Sequence, residues 1–232
     1  MLNTRGNVFK PRVVSFYVTP EETLNQIKEM CVLKNIDPHP SFLFNPKELE
    51  DPFSVLIAVI LSHQTRDAQT SAAHERLLRA FPTPEGLSMA PIKKIDSLIN
   101  EVGFHTKKAR AIKAIAHEVA ANGMPRTSEA LMKLPLVGRK TAACVEVYGY
   151  GGQAIPVDTH VFRVSNRIGL VAAKTPDDAE LALKRLFPRR LWREINYFMV
   201  RFGQTVCLPV KPKCDECRLK KECRYYTASS QH

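Results

Sequence analysis

Four thiols within 17 residues constrain this chain more than any other feature: Cys207, Cys214, Cys217 and Cys223, spaced C-x6-C-x2-C-x5-C. Thiols this close either pair as disulfides or enclose one centre. The first 20 residues carry no continuous apolar run of the kind that opens a secretory leader, so the cluster reads as metal ligation. Zinc sites usually pair two C-x2-C knuckles, and only one is present here. Four thiolates also suit a 4Fe–4S cluster, and ligand type alone leaves both open. Either centre turns the C-terminal stretch into a pinned loop. Lys211 and Lys213 fall between the first two cysteines, where a rigid loop would offer them to a phosphate. Cys31 and Cys144 stand apart and read as buried apolar fillers.

The rest of the chain reads as helix. Thr19-Pro20-Glu21-Glu22 has a capping-box pattern with proline at the first helical position, followed by Leu24, Ile27 and Cys31 on one stripe. Three prolines make a loop of Asp37–Pro46. Asp51-Pro52 starts a strongly apolar helix through Leu61, and further helices are predicted over 67–80, 91–100 and 107–122, the last with Ile112, Ile115 and Val119 on one side and Gly123 at its end. Shorter segments follow at 128–134 and 139–148, then helices at 159–168, 177–187 and 191–202, with a polar, frayed tail from Thr227. No stretch alternates with period two between turn signals, so no sheet is expected. The segment Gly149–Pro156 is the natural boundary between two helical lobes.

Charge points to a polyanion. Lys and Arg number 34 against 23 acids, a formal net charge of +11, and nucleic acid is the commonest partner of so basic a chain. The longest apolar run, around Val55–Leu61, is far short of the roughly 18 residues a membrane span needs. The first 20 residues hold Arg5, Lys10 and Arg12 with no acid, which reads as a basic tail.

The segment Leu134-Pro135-Leu136-Val137-Gly138-Arg139-Lys140-Thr141-Ala142 sits between two predicted helices. A tight turn leading into a helix aims unpaired backbone N–H groups outward, a ready anion site that Arg139 and Lys133 reinforce. Such a site holds a DNA phosphate without reading bases. Lys140 lies in the first turn of the second helix, where the dipole, nearby cations and partial burial each disfavour its proton. A lysine freed of its proton can attack an electrophilic sugar carbon and form a Schiff base. Asp158 reads first as the N-cap of the helix after it. A carboxylate so placed could also stabilise an oxocarbenium charge opposite Lys140.

The hairpin LPLVGRKTA, the segment VDTHVFRVSNR from Val157, the closing cysteine pattern followed by Tyr225 and Tyr226, and the early LSHQTRD at Leu61–Asp67 together resemble the endonuclease III family of DNA glycosylases, in the helix-hairpin-helix superfamily, over about residues 25–226. The resemblance implies an all-α fold of two lobes: a six-helix barrel over 45–150, and a second lobe joining residues 1–44 to 151–232 around a 4Fe–4S cluster held by the four cysteines. Lys140 would be the nucleophile and Asp158 its partner carboxylate. Leu136, Val137, Gly138 and Arg139 would form the phosphate-gripping turn. Gln64 would fill the hole left by an extruded nucleotide, and Phe104 lies where the family places an apolar wedge. The implied reaction is removal of an oxidised pyrimidine from double-stranded DNA with cutting at the abasic site. Glycosylases for alkylated or mismatched bases, and a non-catalytic DNA-binding protein with a structural metal, are the competing readings. A monomer is expected, cytoplasmic and nucleoid-associated if prokaryotic. Two positions depart from the family: Leu136 stands where glycine is usual, at a turn position that costs a leucine of order 1 kcal/mol if it needs positive φ, and His63 replaces a small or polar residue before Gln64.

Overall fold

Proline beside a short polar side chain opens helix after helix. In the computed structural model, which describes residues 18–33 and 51–229, Thr19 and Glu22 form the reciprocal capping box of α1 (Pro20–Leu33), with Glu22 N donating to Thr19 Oγ1 at 3.2 Å. Asp51 accepts from Ser54 N at 2.7 Å ahead of α2 (Pro52–Ser62), and Thr175 accepts from Asp178 N at 3.1 Å ahead of α10 (Pro176–Leu186). In each case proline fixes φ at the first helical position, and the cap satisfies an amide that has no partner within the helix.

Between these run α3 (Asp67–Ala80), α4 (Pro84–Met89), α5 (Ile92–Leu98), α6 (His105–Asn122), α7 (Ser128–Leu131), α8 (Arg139–Cys144) and α9 (Thr159–Ile168); α11 (Trp192–Thr205) and α12 (Arg224–Ser229) follow. The described residues hold no strand, as expected. Several details differ from the sequence reading. The α4 helix, capped by Thr83 onto Gly86 N at 3.2 Å, was not foreseen, because six residues are too few to show a period. The helix from Arg139 stays α only to Cys144; residues 145–149 widen into a π turn, and α7 stops at Leu131 instead of 134. Residues 224–229 form a helix where a frayed tail was expected from 227. The proline-bearing loop at 37–46 and the basic N-terminal stretch lie outside the described residues.

The buried apolar side chains fall into two clusters. One is built from Phe53 through Ala154 and centres on α2, whose Leu56, Ile57, Ile60 and Leu61 are fully buried, each contributing about 1.5–3 kcal/mol. The other joins Leu24, Ile27, Met30 and Cys31 of α1 to residues of α9, α10 and α11. Cys144 is buried in the first cluster, so both isolated cysteines are apolar fillers as expected. A buried polar bridge ties the two: Tyr148 donates to Asn196 Oδ1 at 2.7 Å, and Asn196 Nδ2 donates to Pro156 O at 2.7 Å. Gly149 lets the chain pass against α2; a Cβ there would lie 2.8 Å from Pro52 Cα.

Candidate active site

Where the two clusters meet, a cleft of about 950 Å³ opens. Its walls are the α2–α3 turn (Ser62 to Thr65, and Asp67), the turn into α8 (Leu136, Gly138, Arg139, Lys140, Thr141), the start of α9 (Val157 to His160, and Phe162), and Pro176 with Asp177 at the start of α10. Lys140 and Asp158, far apart in sequence, thus face one cavity. Lys140 is half-buried in the first turn of α8, which no side chain caps. Asp158 caps α9, its Oδ1 accepting from Val161 N at 2.8 Å, and the residue lines the cleft.

The turn into α8 forces Leu136 into the left-handed region at φ 63°, the conformation that glycine adopts without penalty. Val137 N closes the turn on Leu134 O at 3.2 Å, while the Leu136 side chain packs half-buried on the first core. Gly138 is different. Its φ of −105° is open to any residue, and a Cβ there would meet nothing within 4 Å. The fold does not require glycine at this position; only an object approaching from outside would. Arg139 reaches across to Asp177 at 3.5 Å and Glu180 at 3.4 Å, so the guanidinium links the hairpin to α10.

Gln64 and Phe104 sit on facing loops. Both are exposed, and both have left-handed backbone, at φ 53° and 56°. Phe104, 66% exposed, is no core residue. With Leu136 and Lys211 (φ 49°), these are the four non-glycine residues of positive φ among the described residues, and all four are candidate DNA-contacting positions. Lys213 is exposed near Lys211 in the cysteine loop.

Burial disfavours the charged form of both imidazoles in the cleft. Burial, then the ammonium charges of Lys140 and Lys108, push His63 down to about 4; its Nε2 lies 3.2 Å from Thr141 Oγ1. Burial likewise lowers His160, whose Nδ1 accepts from Arg163 at 3.1 Å, which assigns the ring proton to Nε2. Sequence reasoning missed Lys108. It is 2% exposed, and burial pulls its ammonium down to about 8. The signal was present: Lys108 precedes Ile112 by four residues and Ile115 by seven, a lysine on the apolar stripe of α6.

The four clustered cysteines line one small cavity with Ile168, Phe202, Val206 and the rings of Tyr225 and Tyr226. Burial pushes the Cys217 thiol up to about 11, with the neighbouring thiols adding to it, and Cys214 is raised for the same reasons. Among the described residues no three His, Cys, Asp or Glu side chains stand close enough to hold one metal ion. Arg167 of α9 packs its guanidinium 4.4 Å over the Tyr225 ring and donates to Leu208 O at 2.6 Å and Pro209 O at 2.8 Å, while the Cys223 thiol donates to Arg167 O at 3.3 Å. The cysteine loop is thereby strapped to the helix that Asp158 caps.

The start of α8, with Lys140, and the cap of α9, Asp158, thus open on one cleft between two helical cores. Residues 57–189 match the HhH-GPD superfamily of base excision DNA repair proteins. The chain is 44% identical to the endonuclease III of Thermotoga maritima over 185 residues, 78% of this chain and 86% of that protein. It is 37% identical to an endonuclease III homolog of Encephalitozoon cuniculi, over 76% of this chain and 80% of that one. Among solved structures it is similar to a trapped endonuclease III–DNA covalent intermediate, the estranged-adenine complex, with a TM-score of 0.80 at 32% identity, covering 92% of this chain and 99% of that one. A thermostable thymine-DNA glycosylase follows at a TM-score of 0.76 and 27% identity, covering 90% and 96%. The chain belongs to the endonuclease III family within that superfamily, base-excision-repair DNA glycosylases with abasic-site lyase activity.

Proposed function

We propose that this protein removes oxidised pyrimidines from double-stranded DNA through a Schiff base on Lys140, and cuts the strand at the abasic site so formed. The observation that carries the reading is the meeting of Lys140 and Asp158 in one cleft beside an uncapped helix start. The target sugar carbon is inaccessible in a stacked duplex, so the nucleotide must be flipped into the cleft. There the Lys140 Nζ lone pair attacks C1′, the glycosidic bond breaks, and the base leaves with the bonding electrons and takes up a proton. The Asp158 carboxylate stabilises positive charge building on the sugar. Opening of the sugar ring leaves an iminium between Nζ and C1′, which acidifies the C2′ hydrogen. Loss of that proton expels the 3′ phosphate by β-elimination, and water then frees the lysine.

Val137, Gly138 and Arg139 would hold a backbone phosphate at the α8 start, with Gly138 bare because a phosphate comes close there. Gln64 would occupy the vacated base position and Phe104 would wedge the neighbouring step. The four cysteines would hold a 4Fe–4S cluster. All four line one cavity, as the four thiolate ligands of such a cluster would, and the membership in the endonuclease III family favours iron–sulfur over zinc. With no open coordination position the cluster would supply rigidity, presenting Lys211 and Lys213 to DNA. The two apolar cores support a division into two lobes, drawn at 45–150 and at 1–44 with 151–232, of which 1–17, 34–50 and 230–232 lie outside the described residues. We read the chain as a monomer, cytoplasmic and nucleoid-associated if prokaryotic. No helix among the described residues is long and apolar enough to cross a membrane.

Borohydride trapping on a duplex with one abasic site tests the chemistry: a covalent adduct is expected from the wild type and none from Lys140→Ala, which should still bind the duplex. Strand cutting that survives Lys140→Ala would refute the assignment. Base release without an adduct would favour a glycosylase for alkylated or mismatched bases. A panel of duplexes, each with one lesion, scored separately for base release and for nicking, identifies the substrate.

A further inference from the structure

Lys108 carries charge into a nearly sealed site, yet no step of the reaction uses it. Its Nζ donates to Leu61 O at 2.7 Å, His63 O at 2.6 Å and Thr65 Oγ1 at 3.0 Å. Three acceptors meet the full donor complement of an ammonium. The first is a carbonyl of the last turn of α2, which lacks a partner within its helix. The other two belong to the residues on either side of Gln64. The backbone N–H of the same lysine donates to Phe104 O at 3.0 Å, closing the first turn of α6. The two loops also touch directly. Gly103 N donates to Thr65 Oγ1 at 3.0 Å, and a Cβ on Gly103 would lie 2.6 Å from Gln64 O. Gln64 and Phe104, both held in left-handed backbone, therefore project from one joint, and Lys108 bonds both sides of it.

We propose that Lys108 is a positioning residue that locks Gln64 and Phe104 into one rigid unit and so sets how readily the enzyme opens the duplex around the extruded nucleotide. The proposal rests on the reading above that these two side chains enter the duplex. A lysine suits the task because only a three-donor group joins three acceptors from different parts of the loop. A methionine of similar length fills the same volume and joins none, which frees the loop to relax toward ordinary backbone angles.

The test separates duplex opening from chemistry. Lys108→Met is compared with wild type for base release from a duplex with one oxidised pyrimidine, and for nicking of a single-stranded oligonucleotide with one abasic site, which has no stack to open. Base release is expected to fall by about 100-fold, the scale on which a 1 Å misplacement acts, while single-stranded nicking stays within about 3-fold because no base need be unstacked. Gly103→Ala perturbs the same joint by contact with Gln64 O and should give the same split; it also carries the comparison if Lys108→Met does not fold in thermal unfolding. Opening is read without chemistry in a Lys140→Ala background, from the fluorescence of 2-aminopurine beside the lesion, which should rise on binding less for the double variant than for Lys140→Ala alone. Equal loss of both activities, no loss of either, or an unchanged fluorescence rise would overturn the proposal. A wild type that raises the fluorescence but releases no base from any lesion would overturn the glycosylase reading and leave the fluorescence comparison to decide the role of Lys108.

Discussion

Leu136 offers a sharp check on the hairpin. At φ 63° a leucine bears a left-handed penalty of about 1–2 kcal/mol that glycine does not. Its half-buried side chain, packed on the first core, returns about 1 kcal/mol of apolar burial, roughly half the value of a fully buried leucine. Leu136→Ala loses the burial and keeps the penalty, so it should cost about 1 kcal/mol. Leu136→Gly loses the same burial but sheds the penalty; after about 0.5–1 kcal/mol of extra unfolded-chain entropy, it should end near the wild type. The expected order is therefore glycine above alanine, by about 0.75 kcal/mol at the middle of those two ranges, the reverse of the order at an ordinary position. In a chain of this size that is about 1–4 °C in Tm. Thermal and urea unfolding of the three proteins measure it. Alanine more stable than glycine would refute the left-handed turn and with it the geometry assigned to the phosphate grip.

Three further outcomes are expected. His63 sits at about 4 in the folded protein against about 6.5 unfolded, so the unfolded chain binds more protons between those values and the His63 contribution to stability is lost as pH falls from about 6.5 toward 4; urea unfolding of wild type and His63→Gln at pH 4.5 and 7.5 should show the gap between them shifting against the wild type at the lower pH. Gly138→Ala should change stability by less than about 0.5 kcal/mol yet weaken binding to an abasic duplex in fluorescence anisotropy, whereas Gly149→Ala, with its Cβ 2.8 Å from Pro52 Cα, should cost about 1–3 kcal/mol; a destabilised Gly138→Ala protein would show that the fold needs that glycine after all. Protein purified without air should be brown with broad visible absorbance, and Cys214→Ser should lose the colour and lower Tm; a colourless wild type that holds zinc would overturn the iron–sulfur assignment.

What the sequence disclosed follows from how each feature is encoded. The helix starts at 19–22 and 51–52 were legible because proline, threonine and aspartate there act within four residues of themselves. Lys140 and Asp158 were legible as types in suggestive places, but nothing local tells that the α8 start and the α9 cap open on one cavity; that depends on the packing of two cores. Leu136 showed its strain only because the resemblance supplied a glycine for comparison. The widening of 145–149 into a π turn left no trace in periodicity, since Val145, Val147 and Tyr148 are as apolar as a regular helix would want. The pairing of Lys108 with Leu61, His63 and Thr65 spans more than 40 positions, so its place on the apolar stripe of α6 signals burial but not the partners it bonds.

The three exposed left-handed side chains, Gln64, Phe104 and Lys211, set a conflict between durability and use. A search for heat-tolerant variants would reach these positions early, because glycine or asparagine there relaxes the main chain at once. On the proposed function, each such gain would blunt the relief offered to the double helix. Hardened descendants of this repair protein should therefore accumulate their improvements elsewhere and carry these three tensions forward unchanged.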